Sequence, residues 1–226
     1  MKIQTLLCSA LTIIALSSCE QPEPTIYYNT YMTAVQSESG CIFVSDDSLT
    51  IVPTNSISNI GSLKTDDRLF ATFSVPSGEI TDPVMAEFTS LVLLDPLEII
   101  ATSSPDTLSI KADDPADLQS VWQSGGVKGA SRFLTISYSV KASEFGLPHY
   151  TYIVDDLTRT DNPDAEGYYH LRFLHDTNND PFVIYTSSIA TFPLTEKYTG
   201  PDIKGIKIDY TPLTAGKDST LTLTFK

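Results

Sequence analysis

Residues 134–140 read Leu-Thr-Ile-Ser-Tyr-Ser-Val. Leu134, Ile136, Tyr138 and Val140 share one face of an extended chain, and Thr135, Ser137 and Ser139 share the other, because successive strand side chains point to opposite sides. Alternation this clean marks a half-buried antiparallel strand, with one face on a core and one toward water. Downstream, His149–Val154, Tyr168–Leu174 and Phe182–Tyr185 read the same way. Ile206, Ile208 and Tyr210 oppose Lys207, Asp209 and Thr211. Leu221, Leu223 and Phe225 oppose Thr222, Thr224 and Lys226, so the last strand is expected to reach the final residue. Six or more strands separated by polar turns imply a β-sandwich over 105–226.

Upstream, Cys41–Val44, the polar turn Ser45–Ser48 and Leu49–Val52 form a hairpin signal. Tyr31–Val35 precedes it and the alternating Leu69–Val75 follows. The long apolar stretch Phe88–Ala101 is interrupted by Asp95-Pro96. Proline cannot donate to a central ladder, so a bulge, a break or two strands are expected there. About five short strands in this half match the inventory of a small OB-type barrel. Thr102-Ser103-Ser104-Pro105, small and polar, is the expected boundary. Asp113–Trp122 reads as a short helix or an irregular crossing, with Asp114-Pro115 as N-cap and first helical residue. The expected fold is all-β: an OB-like five-stranded barrel at 26–103, followed by an antiparallel β-sandwich at 105–226.

Residues 1–25 belong to neither half. Lys2 is followed by the apolar run Leu6–Leu16, then Ser17, Ser18 and Cys19. This is the layout of a secretory signal peptide at 1–18, and the run is too short to span a membrane, which takes about 20 residues. Leu16-Ser17-Ser18-Cys19 resembles a lipobox, in which the cysteine becomes the new N-terminus and carries acyl chains. Cys19 is therefore the expected lipid attachment point, opening a tether at 19–25. Its stretch Glu20–Thr25 spans at most about 20 Å. The reading places the protein exported and lipid-anchored in the bacterial cell envelope, at the outer membrane, on either its periplasmic or its outward side.

Fourteen basic residues face 28 acidic ones, for a net charge of −14. Such a surface repels phosphate backbones and argues against nucleic-acid partners. With Cys8 removed and Cys19 lipidated, Cys41 has no disulfide partner. It reads as a small buried apolar residue.

The order of these features resembles the NigD-like lipoproteins. The stretches that carry the likeness are the lipobox, CIFVSDDSLTIVPTN (41–55), DDRLFATFSV (66–75), VWQSGGVKGASRFLTISYSV (121–140) and YYHLRFLHDTNNDP (168–181). The resemblance implies an OB-like domain before a β-sandwich and supplies no catalytic residues. One member's operon context links it to a bacteriocin. Members often carry an acidic run directly after the lipid cysteine, whereas EQPEPT stands here, which weakens any expectation of surface display.

Sites of chemistry are sparse. Asp176, Asn178 and Asp180 have the spacing that opens a calcium loop, but lack its glycine and closing glutamate, so an Asx-rich turn is expected. His149, His170 and His175 make no zinc spacing. Ser124–Gly129 carries glycines without a phosphate-loop context. Asp46-Asp47, Asp66-Asp67, Asp113-Asp114 and Asp155-Asp156 read as solvated turn residues. No cofactor or metal is expected. Tyr27, Tyr28 and Tyr31 either stack on a sugar or partner surface or plug the barrel end. Trp122, the single tryptophan, reads as a core anchor of the sandwich and joins them as a candidate binding residue. The function implied is a non-enzymatic binding or accessory module for a protein, glycan or other envelope component. The alternatives are a hydrolase assembled from scattered carboxylates and an accessory or immunity protein to a secreted toxin. Oligomeric state is left open.

Overall fold

The computed structural model describes residues 25–38, 40–58, 60–76, 78, 80–104, 112–125, 132–143, 146–181, 183–214 and 217–225. The signal peptide, Cys19 and nearly all of the tether lie outside the described residues, as does the boundary residue Pro105.

The first half is a closed barrel of β1 (Tyr27–Ser37), β2 (Gly40–Ser45), β3 (Thr50–Pro53), β4 (Arg68–Ser74) and β5 (Val84–Leu94). The strands run in the order β1-β2-β3-β5-β4, and β4 returns to pair with β1. All ladders are antiparallel except β3 with β5. This is the OB-like arrangement. The alternating residues fill the interior: Met32 and Ala34 from β1, Phe43 from β2, Leu69, Ala71 and Phe73 from β4, Ala86 and Phe88 from β5. Consecutive β4 residues Thr72 and Phe73 pair with Ser90 and Phe88, so Thr89 is an extra residue that bulges and bends β5.

The second half packs a five-stranded sheet, β13-β12-β10-β9-β6, on a three-stranded one, β11-β8-β7. The strands are β6 (Ile99–Thr102), β7 (Asp117–Gly125), β8 (Arg132–Ala142), β9 (Tyr150–Asp156), β10 (Tyr168–Asp176), β11 (Ile184–Leu194), β12 (Gly205–Tyr210) and β13 (Ser219–Thr224). A single helical turn, α1 (Glu196–Thr199), follows β11. Leu134, Ile136, Tyr138 and Val140 all lie in the shared core, with Ile153, Leu171, Phe173, Phe192, Ile206 and Ile208. Gly205 is required where β12 enters between β10 and β13, since a Cβ there would collide with the Leu223 carbonyl oxygen.

The structure corrects several expectations. The boundary lies before β6, not at 102–105: the chain leaves the barrel at Leu94, and Leu97 N–H already donates to Thr191 O of β11 at 2.8 Å. Ile99–Thr102 then pairs with β9. Asp95-Pro96 is thus the break between domains, because proline ends the ladder it follows. Residues 117–125 form a strand rather than a helix. Asp114 does not cap a helix; its Oδ2 accepts the Thr177 N–H at 2.8 Å and the Thr177 hydroxyl at 2.7 Å, tying the entry of β7 to the end of β10. The sandwich is also not purely antiparallel, since β6 with β9 and β10 with β12 are parallel ladders. The last strand, β13, is regular to Thr224, Phe225 N–H still donates to Lys204 O at 2.8 Å, and Lys226 lies outside the described residues.

Candidate functional site

The polar face of β8 does not simply meet water. Thr135 is fully buried because the barrel sits on it. Arg68, the first residue of β4, is also fully buried. Its two terminal nitrogens donate to the two carboxylate oxygens of Asp46 at 2.6 Å each. They also reach the Thr33 hydroxyl at 3.5 Å and the Thr135 hydroxyl at 3.3 Å. Thr135 in turn meets the hydroxyls of Ser124 and Thr191 at 3.2 Å each. The guanidinium lies 5.9 Å from the Tyr31 ring centre and 5.8 Å from that of Phe133. Asp46 occupies the turn between β2 and β3, so one acidic turn residue and one strand-initial arginine join the barrel to the sandwich. Fork-on-carboxylate geometry of this kind is the strong form of ion pair.

Trp122 completes the junction. Its indole N–H donates to Asp46 Oδ2 at 2.6 Å, and its ring centre stands 6.1 Å from that of Tyr31 at a tilt of 53°. Trp122 is therefore half-buried between the domains and is not the anchor of the sandwich core. Its position on β7 points it outward, toward β1.

Beside this contact opens a cleft of about 800 Å³, lined by Asn29 and Tyr31 of β1, Asp46 and Asp47 of the β2–β3 turn, Trp122 and Gln123 of β7, and by residues at the ends of β8 and β13. Burial is the leading cause that raises the Tyr31 phenol above its ordinary pKa; Arg68 lowers it and Asp46 raises it. The structure brings Tyr31 and Trp122 together and leaves Tyr27 and Tyr28 out. Tyr28 stacks on Phe73 at 5.7 Å and braces the barrel, while Tyr27 stands exposed opposite Ser74. Asp46 was hidden from sequence reasoning inside an acidic turn. Arg68 carried a faint signal, a lone basic residue opening an otherwise apolar strand.

Two further polar clusters lie in the sandwich. Asp155, at the end of β9, is fully buried. It accepts from Tyr169 (3.1 and 3.2 Å) and Tyr198 (3.1 Å), and pairs with Lys197. The solvated-turn expectation is thus wrong for Asp46 and Asp155. The second cluster joins His149 Nδ1 to His175 Nε2 at 3.0 Å and His149 Nε2 to Asp180 Oδ2 at 3.2 Å. Asp180 also accepts the Ser143 N–H and hydroxyl at 2.7 Å each, which hold its carboxyl well down, at about 2. In the β10–β11 turn, Asp176 Oδ1 accepts the Asn178 N–H at 2.7 Å, and Asn178 and Asn179 have positive φ. That is the Asx turn expected from its letters.

A family model, the NigD-like C-terminal beta sandwich domain, matches residues 98–225. The chain belongs to the NigD-like family. The match begins where β6 does, so family and structure place the sandwich's start alike. Several solved structures share the two-domain fold. One is a protein of unknown function from Bacteroides vulgatus, with a TM-score of 0.70 and 16% identity over 89% of this chain and 92% of that one. Another, from Bacteroides fragilis, is described as a lipoprotein, with a TM-score of 0.61 and 12% identity over 89% and 99%. A third is a NigD-like immunity protein from Bacteroides caccae, with a TM-score of 0.60 and 18% identity over 89% and 98%. At such identities the likeness is one of fold. No curated protein matches the chain in sequence.

Proposed function

We propose that this NigD-like protein is a lipid-anchored module of the bacterial cell envelope that acts by binding rather than catalysis, and that the cleft between barrel and sandwich is its binding site. The observation that carries this is the cleft itself: a concave surface with an aromatic wall between two domains, beside a buried barrel ion pair to which Thr135 and Trp122 of the sandwich are hydrogen-bonded. Sites of this size and position are where proteins usually take ligands. The anchor rests on the Leu16–Cys19 lipobox. It is in keeping with the fragilis relative being described as a lipoprotein, and no helix among the described residues is long and apolar enough to cross a membrane. A hydrolytic reading draws less support. Asp46, Asp155 and Asp180 are engaged by the chain's own donors, so none of the three stands as a free acid or base. The immunity role printed for the caccae relative is that protein's, and nothing in the cleft favours it here.

A photo-crosslinking side chain at Gln123, in native membranes, tests the site. An adduct is expected there, and none from the same probe at the exposed Leu147, beyond the opposite end of β8. Equal adducts from both positions, or none at Gln123, would remove the cleft from the account. Detergent-phase partitioning tests the anchor: Cys19→Ser should move the protein to the aqueous phase.

A further inference from the structure

We infer that the junction cleft takes a neutral oligosaccharide. This rests on the cleft being the binding site and adds the chemistry of the ligand. The first step is to ask which groups are already taken. The Trp122 N–H and both oxygens of Asp46 are occupied within the junction. What Trp122 and Tyr31 still offer is carbon surface, two rings whose centres lie 6.1 Å apart. Around them stand Asp47, Gln123 and Arg132, whose side chains have no hydrogen-bond partner among the described residues, and Asn29, whose Oδ1 accepts the Thr72 hydroxyl at 2.7 Å. The Asn29 amide NH₂ is left over.

This set combines an apolar platform with both donors and acceptors at its rim. A pyranose ring has the complementary form: a face of C–H groups that lies on an aromatic ring, and an edge of hydroxyls that donate to a carboxylate and accept from amides and guanidinium. Charge narrows the choice further. Asp46 is balanced by Arg68, and Asp47 has Arg132 on the same cleft. Among the described lining residues, a polyanion would gain a single arginine, Arg132, and it would approach a chain of net charge −14. Among the same described residues, a basic peptide would gain a single carboxylate without a partner, Asp47, and would meet Arg132. An acyl chain would strand the rim's polar groups without partners. A cleft of about 800 Å³ holds several sugar rings rather than one.

The protein carries one tryptophan, and it is in this wall, so intrinsic fluorescence reads the site directly. The full chain would be titrated with neutral tetrasaccharides: cellotetraose, laminaritetraose, chitotetraose and α-mannotetraose. Tetralysine and tetraglutamate would serve as charged controls. At least one sugar should shift the emission saturably at millimolar concentration or below. Asp47→Ala and Gln123→Ala, both at the rim, should each weaken that binding by about tenfold, the loss of one hydrogen bond to a well-placed group, with unchanged circular dichroism. If no tetrasaccharide saturates, or if a charged tetrapeptide does so instead, the saccharide assignment fails. The Gln123 crosslink judges the cleft independently: an adduct there with no sugar binding would keep the cleft and discard the sugar.

Discussion

In the barrel every strand has a hydrogen-bonded neighbour on both sides, whereas the sandwich leaves β13, β6, β11 and β7 at sheet edges. Closure removes the edge problem without any covering element. It also fixes the interior at what five short strands can enclose, a dozen buried apolar residues. The sandwich is open but larger, and it buries polar groups inside: Asp155 with Tyr169 and Tyr198, and His175 against His149. The barrel's own buried ion pair, Arg68 with Asp46, is different, since Thr135 and Trp122 of the sandwich complete it. The barrel is therefore the better sealed of the two domains but the more dependent one.

Cutting the chain at its true boundary should give the largest effect. Residues 98–225 alone are expected to show a dispersed amide spectrum and a cooperative melt. Residues 25–97 alone are expected to be largely unfolded, because so small a core is marginal and the cut leaves Arg68 and Asp46 without their sandwich partners. A chain of 105–225, which lacks β6, should melt below 98–225. A barrel that folded cooperatively by itself would break the proposed asymmetry.

Arg68→Ala should come next. It leaves a carboxylate half-buried at the junction with the Trp122 N–H as its remaining partner, and removing one member of a buried pair costs roughly 3–5 kcal/mol. Asp46→Ala is expected to be similar. The double variant should be less destabilised than the two losses added together, because the residues share one network. Denaturant melts followed by Trp122 fluorescence and by far-ultraviolet circular dichroism would show whether the junction opens before the sheets. Additive losses would mean that Arg68 and Asp46 stabilise the protein separately.

The same contrast explains what could be read from the letters. Strands whose faces differ were legible: Leu134–Val140 and Leu69–Val75 alternate because one side meets a core. The helix expected near Asp113 failed because Asp-Pro suits a helix start equally well, and the true partner of Asp114, Thr177, is remote in sequence. The boundary slipped because Thr102–Pro105 looks like a linker, whereas β6 needs only four residues to pair with β9. Of the candidate site, Tyr31 and Trp122 were found for their aromatic character. Asp46 and Arg68 were not, since what marks them is burial by a second domain, and periodicity within one strand does not register that.

The smallest effect concerns pH, and it should fall on one domain only. All three histidines, His149, His170 and His175, lie in the sandwich. Burial lowers the His175 imidazole below its ordinary pKa, and His149 facing it lowers it further; Asp114 and Asp176 pull the other way without cancelling this. His175 is almost wholly buried, with its Nε2 3.0 Å from His149 Nδ1, so a charge on its ring would be held away from water. The unfolded chain takes up a proton on this residue near pH 6.5 and the folded chain does not, so stability is present above that pH and declines below it. The slope for one proton is at most about 1.4 kcal/mol per pH unit. Asp180 acts in a lower window: its carboxyl is held down at about 2, so its contribution is present above the usual carboxylate range and is lost as pH falls from about 4 toward 2. Denaturant stability measured between pH 7 and 5 should therefore decline in the parent and decline less in His175→Gln, which has no imidazole to protonate at that position. In the same variant, Trp122 emission should report the junction unchanged between pH 7 and 5, since Arg68 and Asp46 do not touch the histidine cluster. An equal decline in parent and variant would show that His175 is not the group that titrates.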